Sequence, residues 1–415
     1  MLIPFSSRLV PSAPASSGWR LGLPEIAGPG FRLREPRLAD GDALARAFDA
    51  DAAATMGVEA PGTSDQWVHV VASARADRAA RHTACYLVER DGSADVCGLV
   101  LLQRVARGSR VTTASFVFPE TERQTALPAL TLACVFAFAF QTVGVGRVEG
   151  RVACQRDLDL VRRLGAVEEG VLRGAMPSAD GFADQMLWSL LGSDWDVAGA
   201  GTHADTVPGS IDAAAPVTDV HEEYREPAAW TRGLPALRGS LTTLREIELL
   251  DAPVLFNALD PSDVAISIEP APRTRDDLRR YIAWVQWQRA LGRAAGFAIV
   301  PRGTRHAAGL IQVRRSDLAG AVAEWGIVLA PRYRGTGVAA EASRLMVAFA
   351  FDTLGVHRLE ARASGVDPRS TGLFRKIGAV REARLRRSFV LGSDVLDDDL
   401  WAILKSDWRG GGSIA

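Results

Sequence analysis

Between residues 274 and 404 the apolar positions switch between the 3.6-residue period of a helix and the two-residue period of a strand. Thr274, followed by Asp276 and Asp277, reads as an N-cap with an acidic first turn, and Leu278, Ile282, Val285 and Ala290 carry a helical stripe onward. Gly296 to Val300 and Ala308 to Val313 flank a Pro/Gly/Thr turn, the pattern of a hairpin. Over 321–330 Ala323, Trp325, Ile327 and Leu329 alternate with Glu324, Gly326 and Val328, which predicts a strand. A turn from Pro331 to Gly337 follows. Val338, Ala342, Leu345, Met346 and Phe349 then mark one face of a helix that ends at Gly355. A strand over 357–363, a short helix over 369–376 and closing strands over 388–390 and 400–404 complete a mixed α/β order.

Much of this pattern occurs twice. Ala137 to Phe140, Gly144 to Glu149, Leu164 to Val167 and Ser193 to Trp195 return as Ala348 to Phe351, Gly355 to Glu360, Ile377 to Val380 and Ser406 to Trp408. The offset stays between 211 residues (Ala137 to Ala348) and 213 (Trp195 to Trp408). Gly98 answers Gly309, and Pro119 answers Pro331. Two similar domains are expected, over 31–195 and 237–409, each a central mixed β-sheet flanked by helices. Residues 196–236, rich in Ala, Gly, Asp, Thr and Pro, read as a linker, 1–30 as an N-terminal arm and 410–415 as a tail.

The chain of 415 residues is long enough for two cores, and 47% hydrophobic with 23% charged residues is a globular composition. Its 48 Lys and Arg balance 49 Asp and Glu, so there is no global positive field for nucleic acid or an acidic bilayer. Four cysteines (Cys85, Cys97, Cys134, Cys154) without a C-x-x-C pair argue against a zinc site or a disulfide framework. No seven-residue apolar run marks a secretory leader in the first thirty residues, and no segment offers a membrane span; Ala133 to Phe140 reads as a buried helix. The expected setting is cytoplasmic, with no metal, no nucleic acid and no membrane partner.

The candidate chemistry lies where the strand over 321–330 runs through Arg332, Arg334, Gly335, Thr336 and Gly337 into a helix. A helix N-terminus presents amides without intrahelical acceptors and a partial positive charge, so a phosphate there collects several charge-assisted bonds. Gly335 and Gly337 remove the Cβ atoms that would hold a diphosphate away, and the two arginines add cations. Neither the Walker pattern nor G-x-G-x-x-G is present. An ordinary β-to-α turn tightened by two glycines is the alternative.

Arg332-x-x-Gly335-x-Gly337 resembles the acetyl-CoA pyrophosphate signature of the GNAT N-acetyltransferase superfamily, and the stretch from Leu241 to Trp408 resembles its ribosomal-protein alanine N-acetyltransferase (Rim-type) branch. The Glu-x-Gly strand before the turn, Ile377-Gly-Ala379 and Asp397-x-x-x-Trp401 carry the likeness. It implies a mixed seven-stranded sheet whose strands splay at the turn, and direct transfer from acetyl-CoA to an amine. It also implies a cofactor site made of Leu329, Arg332, Arg334, Gly335, Thr336, Gly337, Val338, Ala339, Asp367 and Phe374. Asp367 replaces the family's usual Asn, and Phe374 stands where many relatives carry a Tyr that serves as acid.

The acceptor must lose a proton and the leaving thiolate must gain one. Glu324 is the candidate base, with a partly exposed sheet residue or an acceptor-binding group as the alternative. Ser370, where the Rim-type branch carries a Ser, can meet the CoA sulfur or simply cap its helix. In the first copy the turn reads Pro119-Glu-Thr-Glu-Arg-Gln-Thr-Ala126, with Arg123 and Thr125 in place of the glycines, carboxylates at Glu120 and Glu122, and Thr112 in place of Glu324. A degenerate, pseudo-catalytic domain is expected there, forming an intramolecular pseudo-dimer with the second; homo-oligomers remain open. The acceptor is a small-molecule or peptide amine. An antibiotic- or metabolite-modifying enzyme and a non-catalytic acyl-CoA-binding protein are the competing readings.

Overall fold

A computed structural model of the chain describes residues 19, 22–56, 62–79, 83–93, 95–103, 111–178, 181–197, 206–207, 228–267, 271–316, 321–364, 368–391 and 394–408. Asp367 and most of the expected arm and linker lie outside these residues. The chain divides into two compact units, Met1–Val220 with Leu385–Ser388, and His221–Arg384 with Phe389–Ala415.

The first unit is built on β1 (Glu25–Gly28), β2 (Phe31–Arg34), β3 (Thr83–Arg90), β4 (Val96–Gln103), β5 (Val111–Val117), β6 (Arg147–Val152), β7 (Val167–Ser178) and β8 (Gly181–Leu191). From β1 to β5 each strand pairs antiparallel with the next, β5 and β6 run parallel, and β8 lies antiparallel between β6 and β7. A two-residue strand, β9 (Thr206–Val207), joins β1. β1 thus places part of the expected arm in a sheet. Helices α1 (Gly41–Ala47), α2 (Ala50–Thr55) and α3 (Ser64–Ala79) follow β2, and α4 (Leu127–Ala137) crosses from β5 to β6. α4 is apolar almost all round, as a helix enclosed by protein must be, and Phe136 packs 5.8 Å from Trp188. α5 (Gln155–Arg162) connects β6 to β7, and α6 (Gly192–Val197) follows β8.

After α7 (Ala229–Arg232), which lies inside the expected linker, the second unit contains β10 (Leu237–Arg238), β11 (Thr242–Glu246), β12 (Ala294–Pro301), β13 (Gly309–Arg315), β14 (Val322–Leu329), β15 (Arg358–Ser364), β16 (Val380–Leu391, apart from Leu385–Ser388) and β17 (Asp394–Leu404). Pairing is antiparallel from β10 through β14, parallel between β14 and β15, and antiparallel between β15 and β17. Each unit is therefore a mixed α/β fold around a mixed sheet, as the apolar patterning predicts. The closing strands are longer than expected.

Helices α8 (Ala252–Ala258), α9 (Pro261–Ser267) and α10 (Arg275–Ala290) lie between β11 and β12, while α11 (Val338–Asp352) and α12 (Pro368–Lys376) follow β14 and β15. α10 opens with the predicted cap: Thr274 Oγ1 accepts from Asp277 N at 3.0 Å and Asp277 accepts from Thr274 N at 2.9 Å. Gly296 lets α10 approach β12, because a Cβ there would lie 2.4 Å from Val285 Cγ1. α11 buries Val338, Ala342, Leu345, Met346 and Phe349, at roughly 1.5–3 kcal/mol for each large side chain, and Phe349 meets Phe297 edge-on at 5.1 Å.

Each unit also buries one arginine between two glutamates. Arg147 donates to Glu149 at 3.0 Å and to Glu169 at 2.7 Å; Arg358 donates to Glu360 at 2.9 Å and to Glu382 at 2.7 Å. The carboxylates hold both guanidinium groups in their charged form despite burial.

Candidate active site

β14 leads into the turn through a single 3-10 turn, Pro331–Tyr333, closed by Arg334 N donating to Pro331 O at 3.1 Å. Thr336 Oγ1 donates to Tyr333 O at 2.7 Å and tightens the next step. Gly335 and Gly337 have φ of +76° and +90°, the left-handed region where a Cβ is strained, so glycine is required at both for a backbone reason. Gly337 is the N-cap of α11, and no side chain caps that helix; the first intrahelical bond runs from Glu341 N to Gly337 O at 3.0 Å. The leading amides of α11 are thus available to a ligand, and around Gly335 no described atom lies within 4 Å of where a Cβ would be. Such a cradle fits a diphosphate.

Several contacts hold it. Glu341, in the first turn of α11, accepts from Ser240 N (2.8 Å), Ser240 Oγ (2.6 Å), Leu241 N (2.7 Å) and Thr242 N (2.8 Å), pinning the start of β11 beside the turn. These donors outweigh partial burial and keep its carboxyl below the usual range. Arg332 is exposed and lies over the Tyr333 ring, 5.0 Å from its centroid. Arg334 is bonded to Asp263 of α9, and the same carboxylate accepts from Arg369 at 3.1 Å.

The predicted residues fall into three groups. Arg332, Arg334, Gly335, Thr336, Gly337 and Ala339 form the turn and helix start; Leu329 and Val338 are buried beneath it. Ser370 is half-buried within the first turn of α12, and Asp367 lies outside the described residues. Phe374 is only 4% exposed and packs between Trp325 (5.4 Å) and Trp401 (6.0 Å), so its ring is part of the core.

Glu324 occupies the position where the sheet opens. β14 and β15 pair at only three positions, ending at Glu324 opposite Glu360, while β14 continues to Leu329 along β13 and β15 continues to Ser364 along β17. The Glu324 carboxylate is half-buried at the mouth of that wedge; Arg314 donates to it at 3.0 Å, and Arg362 Nε lies 4.0 Å away. Sequence reasoning missed three neighbours: Asp263, Arg362 and Asp398. Asp398, in the Asp397–Asp399 run of β17, is 5% exposed, and burial pushes its carboxyl up to about 6. The signal was present, since three consecutive acids on an alternating strand must place at least one on each face.

The first unit repeats the short parallel pairing but differs at the carboxylate and in the turn. Parallel pairing sets Thr113 opposite Glu149 as it sets Glu324 opposite Glu360, so Thr113, not Thr112, holds the matching place. Thr112 is buried, its hydroxyl donating to Gln103 O at 2.6 Å. Counted back from the helix start, Ala126 rather than Thr125 is the N-cap, with an ordinary φ of −76°. Pro128 removes an amide from the first turn of α4, and Thr125 Oγ1 accepts from Leu127 N at 3.2 Å. Glu122, 7% exposed, accepts two bonds from Arg90 Nη2, at 2.8 and 2.7 Å, which places a carboxylate of the protein itself in the turn.

Among the described residues no cluster of three or more His, Cys, Asp or Glu can hold a metal ion, and no helix is long and apolar enough to cross a membrane.

The acetyltransferase (GNAT) domain family matches residues 242–380, within the second unit. The chain is similar to an uncharacterized N-acetyltransferase p20 of Bacillus licheniformis, 26% identical over 169 residues that cover 40% of this chain and 95% of the relative. It is 29% identical over 86 residues to an uncharacterized N-acetyltransferase YnaD of Bacillus subtilis, covering 21% of this chain and 51% of that protein. A GNAT-family acetyltransferase structure from Bacillus anthracis aligns with 41% of this chain and 99% of its own, at 22% identity and a TM-score of 0.37. The similarity to acetyltransferase (GNAT) domains thus falls on residues 242–380, within the second unit.

Proposed function

We propose that residues 237–409 transfer the acetyl group of acetyl-CoA directly to a primary amine, with Glu324 as base and the turn from Arg332 to Ala339 as the diphosphate cradle. The observation that carries this reading is the coincidence of two features on one strand: β14 parts from β15 just after a carboxylate, and it ends in a glycine-capped helix whose first amides no side chain uses.

Backbone amides of the turn and of α11 hold the diphosphate, with Arg332 and Arg334 as cations once Arg334 leaves Asp263. The edge of β14 beyond Glu324 has no strand partner on that side among the described residues, and it offers amides and carbonyls to the pantetheine arm. Glu324 accepts a proton from the acceptor ammonium, directly or through water; the freed amine forms the C–N bond as the C–S bond breaks. The new amide nitrogen gives up its second proton, which reaches the departing thiolate through water or through the hydroxyl of Ser370 acting as a relay that ends neutral.

The first unit, over 31–195, is proposed as a degenerate second copy without cofactor binding. The order that the two units share, antiparallel through five strands and then parallel to the sixth, supports a shared ancestry, and Glu122, Pro128 and Thr113 account for the loss. One observation favours a non-catalytic acyl-CoA binder instead: Phe374 has no hydroxyl and is sealed in the core. Thiol release from acetyl-CoA, measured across peptides with Ala, Ser or Met N-termini, polyamines and aminoglycosides, separates these readings. The proposal expects release with at least one amine class, and tight binding without release across the panel would overturn it.

A further inference from the structure

Asp398 has no part in the mechanism above, yet its position is unusual. It is 5% exposed, and its Oδ1 is shielded from solvent with no hydrogen-bond partner among the described residues. A buried, under-satisfied carboxyl works against folding, and such groups concentrate where a site needs them.

The register says which site. Directly paired residues project to the same face of a sheet, and side chains alternate along each strand. Glu324 is opposite Glu360; Arg362 is two residues further along β15; Asp398 is opposite Ser364, two further again. Glu324, Arg362 and Asp398 therefore share one face, at the end of the sheet where β14 and β15 have parted. Arg362 stands between the two carboxylates: its Nε is 4.0 Å from Glu324 Oε1, and its charge is the main attraction felt by the Asp398 carboxyl.

We propose that Asp398 is a positioning carboxyl that sets the basicity of Glu324 by competing with it for the shared guanidinium of Arg362. The inference rests on the reading of Glu324 as the base. While Asp398 is protonated, the charge of Arg362 is not opposed from that side and holds the Glu324 carboxylate as a weaker base. Once Asp398 ionises, the guanidinium is divided, negative potential rises beside Glu324, and its affinity for the acceptor's proton increases. The groups acting on Asp398 are all in place for this: burial, Asp399 on its own strand and Glu324 from β14 oppose its ionisation, whereas Arg362 from β15 and the Asp399 amide favour it. Arg314 of β13 bonds the other oxygen of Glu324, so removing Asp398 leaves that anchor in place.

The test compares the full-length chain with Asp398→Asn, which keeps shape and removes charge, and with Arg362→Gln. In Asp398→Asn the acidic limb of kcat/KM should move to lower pH by about one unit, and the plateau should fall roughly 3- to 10-fold, because a less basic carboxylate accepts the proton less readily. KM for acetyl-CoA should not change. In Arg362→Gln the limb should move the opposite way. Carboxyl-carbon NMR titration of the free protein, with Glu324→Gln used to assign the resonance, provides a readout independent of turnover: Glu324 should titrate lower in Asp398→Asn than in the wild type. Superimposable pH–rate profiles, or superimposable Glu324 titration curves, would overturn the proposal. A wild type that releases no thiol while the titrations show the coupling would count against acetyl transfer and leave the three-group network standing.

Discussion

Gly337→Glu tests the cradle where the backbone leaves least room for compensation. At φ +90° an L-residue is strained by about 1–2 kcal/mol, and a Cβ would meet Leu241 Cδ1 at 3.0 Å. Both effects belong to the folded protein with or without ligand, so they appear as a lower melting temperature. They are shared by Gly337→Ala, whose methyl group points at Leu241. The carboxylate of the Glu variant adds a different effect. At ~5 Å from a phosphate charge and an effective dielectric near 20, repulsion is about 3 kcal/mol, or on the order of 100-fold in affinity. Calorimetric titration with acetyl-CoA should therefore show near-normal affinity in Gly337→Ala and at least a 100-fold loss in Gly337→Glu. Equal losses in the two variants, or a Glu variant within fivefold of the wild type, would refute the electrostatic argument.

Glu324→Gln should leave acetyl-CoA affinity unchanged and lower turnover by about 10²-fold or more, the effect of losing a general base, as measured by stopped assays of thiol release. Glu341→Gln turns four charge-assisted bonds into neutral ones and should cost about 2 kcal/mol, seen as a fall of roughly 4–8 °C in melting temperature. Because these donors depress the Glu341 carboxyl, its contribution is present above the usual carboxylate range and fades as pH falls through the lowered value, so the variant and the wild type should converge in acid. Asp398 runs the other way: titrating at about 6 in the fold against ~3.9 unfolded, it favours the native state at low pH and loses up to about 3 kcal/mol as pH rises through 6. Asp398→Asn should thus be more stable than the wild type at pH 8 and indistinguishable from it near pH 4, by thermal unfolding at the two pH values.

The elements that were easiest to read are those whose apolar spacing is unbroken. α11 shows its stripe from Val338 to Phe349 because small residues fill the gaps, and α10 announces its start through the Thr274 capping box. The turn was legible for a related reason: two glycines one residue apart after a strand have few uses other than left-handed backbone, and both are left-handed. β16 and β17 were cut short in the reading because Arg381, Glu382 and Arg384, and the Asp397–Asp399 run, hide the apolar alternation. Glu382 is in fact buried against Arg358, and Asp398 is buried on the face that carries Arg362, so charge in these strands marks burial rather than exposure. Single-residue register was also out of reach. Strand pairing matches Thr113 rather than Thr112 with Glu324, and the helix caps match Ala126 rather than Thr125 with Gly337, both one residue away from the register that aligning Pro119 with Pro331 gives, which spacing alone cannot decide.

The central claim concerns where one diphosphate sits, and a crystal structure of the full chain grown with acetyl-CoA addresses it most directly. The account predicts electron density for the diphosphate against the amides of residues 335–339 and for the thioester within reach of Glu324. Density beside the Pro119–Ala126 turn of the first unit, or cofactor bound elsewhere with the Gly335–Gly337 turn empty, would contradict it.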